Sequence, residues 1–215
     1  MTNQGKPSPA RRLLPFIVAT VVAVAAGAWV SDRFFNRQAD LAGLHGTHFS
    51  QPRPLQPFTL TDHTGKSFGI EQLTGKWSFV FFGYTHCPDV CPTTMSVLNS
   101  VANRLGDDAP AVQYIFVSVD PERDTPAQLG QFVTWFNGDF IGVAGTDQEL
   151  ENLTRQLGVV YMRIPDEKQT GGYTVDHTAS VLLFDPDGRF HAVFSAPLNA
   201  TELAEDVSRL ARAYR

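Results

Sequence analysis

The 215-residue chain holds two cysteines, Cys87 and Cys91, within Tyr84-Thr85-His86-Cys87-Pro88-Asp89-Val90-Cys91-Pro92-Thr93-Thr94. Just before them the apolar run Phe79-Val80-Phe81-Phe82 ends at Gly83 and reads as a buried strand bounded by glycine. Beyond Cys91, Met95, Leu98, Val101, Ala102 and Leu105 fall at helical spacing. The thiols therefore lie where a core strand hands over to a helix, the kind of strand end at which ligands gather in open α/β sheets. On a helix, residues i and i+4 share a face with Cβ atoms about 5–6 Å apart. Two sulfurs so placed can turn onto one metal ion, or close a disulfide, which needs Cβ atoms about 3.5–4.5 Å apart. A helix N-terminus also favours the thiolate, which is both nucleophile and ligand. The plain alternative is a structural disulfide or two buried thiols. So small a loop adds little stability to a large domain, and the spacing points to chemistry.

The elements that position these thiols come from the rest of the chain. Hydrophobic content of 43% and charged content of 18% are globular values, and the length suits one domain with appendages. A net charge of -5 and a pI near 5.6 argue against a nucleic-acid binder. Residues 1–12 carry Lys6, Arg11 and Arg12 and no acid, whereas Leu13–Val30 is uncharged and nearly all apolar. As a helix that run reaches about 27 Å, just enough for a bilayer core of about 30 Å. The basic flank stays in the cytoplasm and sends the rest outward. Ala26-Gly27-Ala28 fits the cleavage site of a signal peptide, but the run exceeds the usual core of about 7–15 residues, which favours an uncleaved anchor. A single-pass bacterial inner-membrane protein is expected, its body in an oxidising periplasm. There an exposed cysteine pair needs a reductant or a metal to stay out of a disulfide. Residues 31–56 read as a linker, with Gly43, Gly46, Pro52 and Pro54. His45 and His48 lie within it and read as solvated loop, with no cysteine beside them. The body is expected to fold from about Gln51 without the anchor.

Phe58–Thr61 and Ser67–Ile70 flank Asp62–Lys66 as a hairpin, with His63 as turn polarity. Val112–Val119 is a second buried strand, ending at Asp120-Pro121. Thr125 caps a helix that starts at Pro126 and carries Leu129, Phe132, Val133 and Phe136. Thr146-x-x-Glu149 is a capping box ahead of Leu150, Leu153 and Leu157. Val159–Ile164 reads as a short strand and Lys168–Gly172 as a polar loop. Ala179–Phe184 and Arg189–Phe194 form a second hairpin around Asp185-Pro186-Asp187-Gly188, and a last helix runs from near Asn199. Strands alternating with helices predict an α/β fold with a parallel sheet, to which the terminal hairpin adds antiparallel strands. Cys87 follows the C-terminal end of a parallel strand, and a strand antiparallel to it begins at that same end. His177, just before such a strand, can therefore meet Cys91 in space.

Three blocks, in order, carry a family resemblance. Tyr84-Thr85-His86-Cys87-Pro88-Asp89-Val90-Cys91-Pro92 resembles the copper motif of the Sco/SenC family, the copper chaperones of cytochrome c oxidase assembly. Val119-Asp120-Pro121-Glu122-Arg123-Asp124-Thr125-Pro126 resembles a second block, and Val175-Asp176-His177-Thr178 a third, which supplies a histidine ligand. The resemblance runs from about Pro57 to the C-terminus. It implies a thioredoxin-like domain over 57–215, behind a tail (1–12), an anchor (13–30) and a linker (31–56). It also implies one copper, Cu(I) or Cu(II), on Cys87, Cys91 and His177. The function implied is delivery of copper to the dinuclear copper A site of cytochrome c oxidase, or preparation of that site's thiols. The implied partners are cytochrome c oxidase subunit II or its assembly factors, a periplasmic copper donor and a thiol reductant.

Two thiolates and one imidazole make a soft, low-coordinate set that suits copper. Structural zinc wants four protein ligands, and no convincing fourth is present. His86 neighbours Cys87, but adjacent residues on a helix point different ways. His191 lies in a strand, and His177 alone would be an ordinary core histidine without its placement and block. Met95 falls in the register of core packing. Asp89 is a candidate for tuning charge or meeting a partner, and Asp176 for orienting the imidazole. Asp120, Glu122, Arg123 and Asp124 form either a charge-paired loop or a partner surface. The enzymatic alternative is a periplasmic thiol-disulfide reductase with Cys87 and Cys91 as its redox-active pair, although thioredoxins use Cys-x-x-Cys. Val90–Thr94 faintly resembles a peroxiredoxin segment, but Pro88 stands where that family has its threonine.

Overall fold

The computed structural model describes residues 18–31, 43–106, 111–165 and 172–214. Residues 18–31 are helical (α1). Among the described residues no helix is long and apolar enough to cross a membrane. Residues 13–17 of the expected anchor lie outside the described part, as do the tail before them, 32–42 of the expected linker and 168–171 of the expected loop.

The body is built on β4 (Trp77–Gly83), whose seven positions are all buried. Phe79, Phe81 and Phe82 are completely enclosed, each worth about 1.5–3 kcal/mol of transfer free energy. β5 (Val112–Ser118) lies parallel to it, from Trp77 opposite Val112 to Gly83 opposite Ser118. β6 (Ile141–Ala144) continues in parallel beside β5. On the other side β9 (Val181–Phe184) runs antiparallel, with Val181 opposite Phe81, so it starts at the end where β4 finishes. β10 (Phe190–Phe194) pairs with β9, and β1 (Thr47–Arg53) with β10. The hairpin β2 (Leu60–Asp62) and β3 (Ser67–Phe68) joins the opposite edge through β6. The eight-stranded order is β1-β10-β9-β4-β5-β6-β2-β3. Strands β7 (Tyr161–Pro165) and β8 (Tyr173–His177) form a separate two-stranded sheet.

The helices α2 (Val90–Leu105), α3 (Pro126–Phe136), α4 (Asp147–Leu157) and α5 (Ala200–Tyr214) flank the mixed sheet. They bury the expected stripes: Met95, Leu98 and Val101; Leu129 and Val133; Leu150, Leu153 and Leu157; Leu203, Val207 and Leu210. Thr125 and Thr146 cap α3 and α4, each through a reciprocal box with Gln128 or Glu149.

Three elements depart from the sequence reading. Residues 47–53, inside the expected linker, are an edge strand of the main sheet. The segment between α3 and α4 supplies a sheet strand, β6. A Cβ on its Gly142 would stand 2.5 Å from Leu129 Cγ, so the glycine lets α3 lie close on the sheet. His177 ends a strand of its own, β8, before the chain enters β9.

Candidate metal centre

The site starts from an absent side chain. Gly83 closes β4, and a Cβ there would meet Cys91 Sγ at 2.7 Å and the Phe116 ring at 2.9 Å. The bare backbone lets Cys91 pack against the strand end, fully buried. The chain then turns, with Cys87 N–H donating to the Tyr84 carbonyl at 3.2 Å. α2 begins at Val90, so Cys91 belongs to its first turn and Cys87 precedes it. First-turn amides have no partner inside the helix. That of Cys91 donates to Cys87 Sγ at 3.4 Å. Both thiols are free, Cys87 partly exposed and Cys91 enclosed.

Asp124 holds the turn. It is buried, accepts from Thr85 N–H at 3.0 Å and from Thr85 Oγ1 at 2.6 Å, and is anchored by Ser118 Oγ at 2.6 Å. Hydrogen bonds to a charged acceptor are the stronger kind. The negative loop of the second block is thus built inward. Asp120 is also buried and accepts from Arg123 Nε at 2.5 Å and from Tyr173 OH at 2.6 Å. Asp120 and Asp124 thus fit the charge-paired alternative, while Glu122 stays exposed beside them. Partial burial and the bond to Asp120 push the Tyr173 phenol up to about 12.

β8 delivers the third donor. His177 Nε2 lies 3.4 Å from Cys91 Sγ, and Nδ1 lies 3.2 Å from the Thr178 carbonyl. A carbonyl only accepts, so Nδ1 carries the proton and Nε2 offers its lone pair toward the thiols. The ring stands edge-on between Phe81 at 5.8 Å and Tyr84 at 6.0 Å. Burial holds the imidazole below its ordinary 6.5 and raises the Cys91 thiol well above its usual range. At neutral pH the histidine is neutral and Cys91 is protonated. The donor atoms of Cys87, Cys91 and His177 all lie within 4.8 Å of one another, and among the described residues this is the one such group.

The remaining candidates fall elsewhere. Asp176 is exposed, and the imidazole donates its Nδ1–H to the Thr178 carbonyl instead, because alternation along β8 turns residue 176 away from residue 177. His86 is exposed, with Nδ1 3.1 Å from Thr85 Oγ1, and stands outside the donor group. Met95 is core. Asp89 is exposed and receives a long 3.4 Å bond from Thr93 Oγ1. His63 does more than polarise a turn: its Nδ1 accepts from Gly142 N–H at 3.1 Å and ties the β2–β3 hairpin to β6. His45 lies 3.8 Å from both Glu202 and Glu205, and His48 is in β1. His191 packs on Trp77 at 5.2 Å and faces Asp185 at 3.4 Å. Gly83, Tyr84, Thr178 and Tyr173 are site residues that sequence reasoning did not single out. Period-two alternation of Tyr173, Val175 and His177 was the available signal for β8.

Comparison with known proteins agrees with this arrangement. The family model described as SCO1/SenC matches residues 48–212. The chain is 33% identical to the mitochondrial SCO2 homolog of Bos taurus over 221 residues, covering 99% of this chain and 81% of that protein. The copper-bound structure of Bradyrhizobium japonicum ScoI superposes with a TM-score of 0.65 at 42% identity, over 72% of this chain and 97% of the other. Copper-bound yeast Sco1 gives a TM-score of 0.69 at 30% identity, over 76% and 91%. With a match across most of its length and the three blocks in order, the chain belongs to the SCO1/SenC family.

Proposed function

We propose that the protein is a copper-binding metallochaperone whose cargo is held by Cys87, Cys91 and His177. The observation that carries this is the convergence of two sulfurs and one unprotonated imidazole nitrogen within 4.8 Å. Two soft thiolates with one imidazole suit copper in either oxidation state. Four-ligand structural zinc would need a further donor, and none joins the group among the described residues. The relatives' copper-bound structures support the same cargo. The family resemblance supplies the destination: the copper A site of cytochrome c oxidase, through subunit II or its assembly factors, with a periplasmic donor and a thiol reductant upstream.

Membrane attachment belongs to the same reading. Residues 13–30 act as a single-pass anchor in a bacterial inner membrane, residues 1–12 stay in the cytoplasm, and the copper domain works in the periplasm. Support comes from Lys6, Arg11 and Arg12 ahead of an uncharged apolar run. Because residues 47–53 are part of the sheet, the tether is the stretch before them.

A second reading rests on the free, partly exposed Cys87 beside Cys91. As a reductase, Cys87 would attack a partner disulfide, forming a mixed disulfide and releasing one partner thiol. Cys91 would then displace the other, leaving Cys87–Cys91 oxidised and the partner with two thiols.

Metal analysis of the reduced protein tests the main reading. One copper per chain is expected, with Cys87→Ser and Cys91→Ser each losing most of the affinity. Stoichiometric binding that survives the double serine variant would remove the site.

A further inference from the structure

The imidazole reaches the thiols on a hairpin that the main sheet does not hold. Among the described residues β7 and β8 pair only with each other. What fastens β8 is the loop after β5. Arg123 donates Nε to buried Asp120 at 2.5 Å and Nη1 to the Tyr173 carbonyl at 2.9 Å, and its guanidinium lies 3.7 Å from the Tyr173 ring centre. Tyr173 closes the triangle with its own bond to Asp120, at 2.6 Å. Arg123 also stands 5.5 Å from the Tyr84 ring centre. Tyr84 in turn packs edge-on against His177, with ring centres 6.0 Å apart. Both ends of β8, Tyr173 and His177, are thereby referred to one guanidinium. The neighbouring residue, Asp124, grips the thiol-bearing turn through Thr85.

We propose that Arg123 is a positioning residue for His177, and that the 120–124 loop sets the spacing of the donor group by clamping the thiol turn with Asp124 and the histidine hairpin with Arg123. The inference rests on the copper reading and extends it to a residue that touches none of the donors. The planar, forked guanidinium suits the role, because it bonds a carboxylate and a carbonyl while stacking on an aromatic face. An ammonium cannot do all three.

The test is a double-variant cycle read by Cu(I) competition with a chromophoric chelator, using wild type, Arg123→Gln, Arg123→Lys, His177→Ala and the Arg123→Gln/His177→Ala pair. Amide exchange across β8 in the metal-free protein is the second readout. Arg123→Gln should weaken Cu(I) binding by roughly 10–100-fold, as loss of a ligand-orienting contact does. Arg123→Lys should restore little of it. With His177 already removed, the same substitution should change affinity by no more than about twofold. Amides of Tyr173–His177 should exchange faster in Arg123→Gln while those of β4 keep their protection. Equal losses with and without His177, or unchanged affinity, would overturn the proposal, since Arg123 would then act on the thiols, on the whole fold or on nothing. If wild type takes up no copper, the functional reading fails by itself. β8 exchange then decides the positioning role, with faster exchange supporting it and unchanged exchange refuting it. Should Arg123→Gln fail to fold, Tyr173→Phe, which loses the phenol's bonds to Asp120 at 2.6 Å and Glu122 at 3.4 Å and keeps the ring, carries the same cycle.

Discussion

The three donor atoms differ in what they must give up before a metal can bind. His177 is held below 6.5 by burial, so Nε2 is available at pH 7, whereas Cys91 is held above its usual range and must lose a proton. The stability consequences have opposite signs. The depressed imidazole contributes stability that is present above pH 6.5 and lost as pH falls through its folded value. The raised thiol contributes stability that is present below 9.0 and lost as pH rises toward its folded value. Cu(I) affinity should therefore climb between about pH 7 and 8, approaching tenfold per unit for each thiol proton displaced. His177→Ala should lower that line without changing its slope, because the ring holds no proton there. Competition titrations across this range check it, and a shallower slope in the variant would show that the imidazole is protonated at neutral pH. That Cys87, Cys91 and His177 could come together was legible from cysteine spacing and the third block. The residues that aim them were not, for physical reasons. Gly83 acts by lacking a Cβ that would lie 2.7 Å from sulfur, a distance no local pattern encodes. Thr178 acts through a backbone carbonyl, which every residue possesses.

Among the elements, β4, β5 and the four body helices announced themselves through apolar runs, caps and helical stripes, because each buries a continuous face. β6 did not: it is four residues long, contains Gly142, and owes its place to Leu129 and His63 rather than to strand propensity. β1 was concealed by a polar, proline-containing sequence, as befits an edge strand with one open side. Its attachment comes from far away in the chain. Buried Asp206 on α5 accepts from the backbone N–H groups of both His45 and Gly46 at 2.8 Å. Asp206→Ala leaves two amides without that acceptor and should cost about 1–3 kcal/mol. The loss should concentrate at β1, seen as faster amide exchange at Val193, its partner on β10. A protein shortened to begin at Leu44 should keep wild-type unfolding, while one beginning at Gln51, with half of β1 gone, should unfold earlier in temperature. Equal melting of the two would mean that β1 and its Asp206 anchor add nothing to the body.

For the molecule as a whole, the sheet's topology makes one site from distant residues. β4 finishes at the same end of the sheet from which β9 begins, so the thiol turn and the histidine hairpin converge although Cys91 and His177 are 86 positions apart. This much followed from the alternation of strands and helices together with the terminal hairpin. The same convergence separates the two functional readings. Dithiol exchange needs Cys87 and Cys91 and no imidazole ligand, whereas a three-donor copper site needs all three. His177→Ala should therefore cut copper affinity sharply while the Cys87–Cys91 disulfide still forms and exchanges with a thiol probe. In cells, a copper chaperone lacking His177 should behave like the two cysteine variants, losing cytochrome c oxidase activity that added copper restores in part. A reductase lacking His177 should keep most of its function while the cysteine variants lose it. The first outcome is expected. A protein used only for thiol exchange would have little need for an imidazole fixed 3.4 Å from its buried sulfur, with the other ring nitrogen committed to a carbonyl. Oxidase activity in the three single variants, at matched protein levels, decides the matter, and near-normal activity in His177→Ala would transfer the assignment to the reductase.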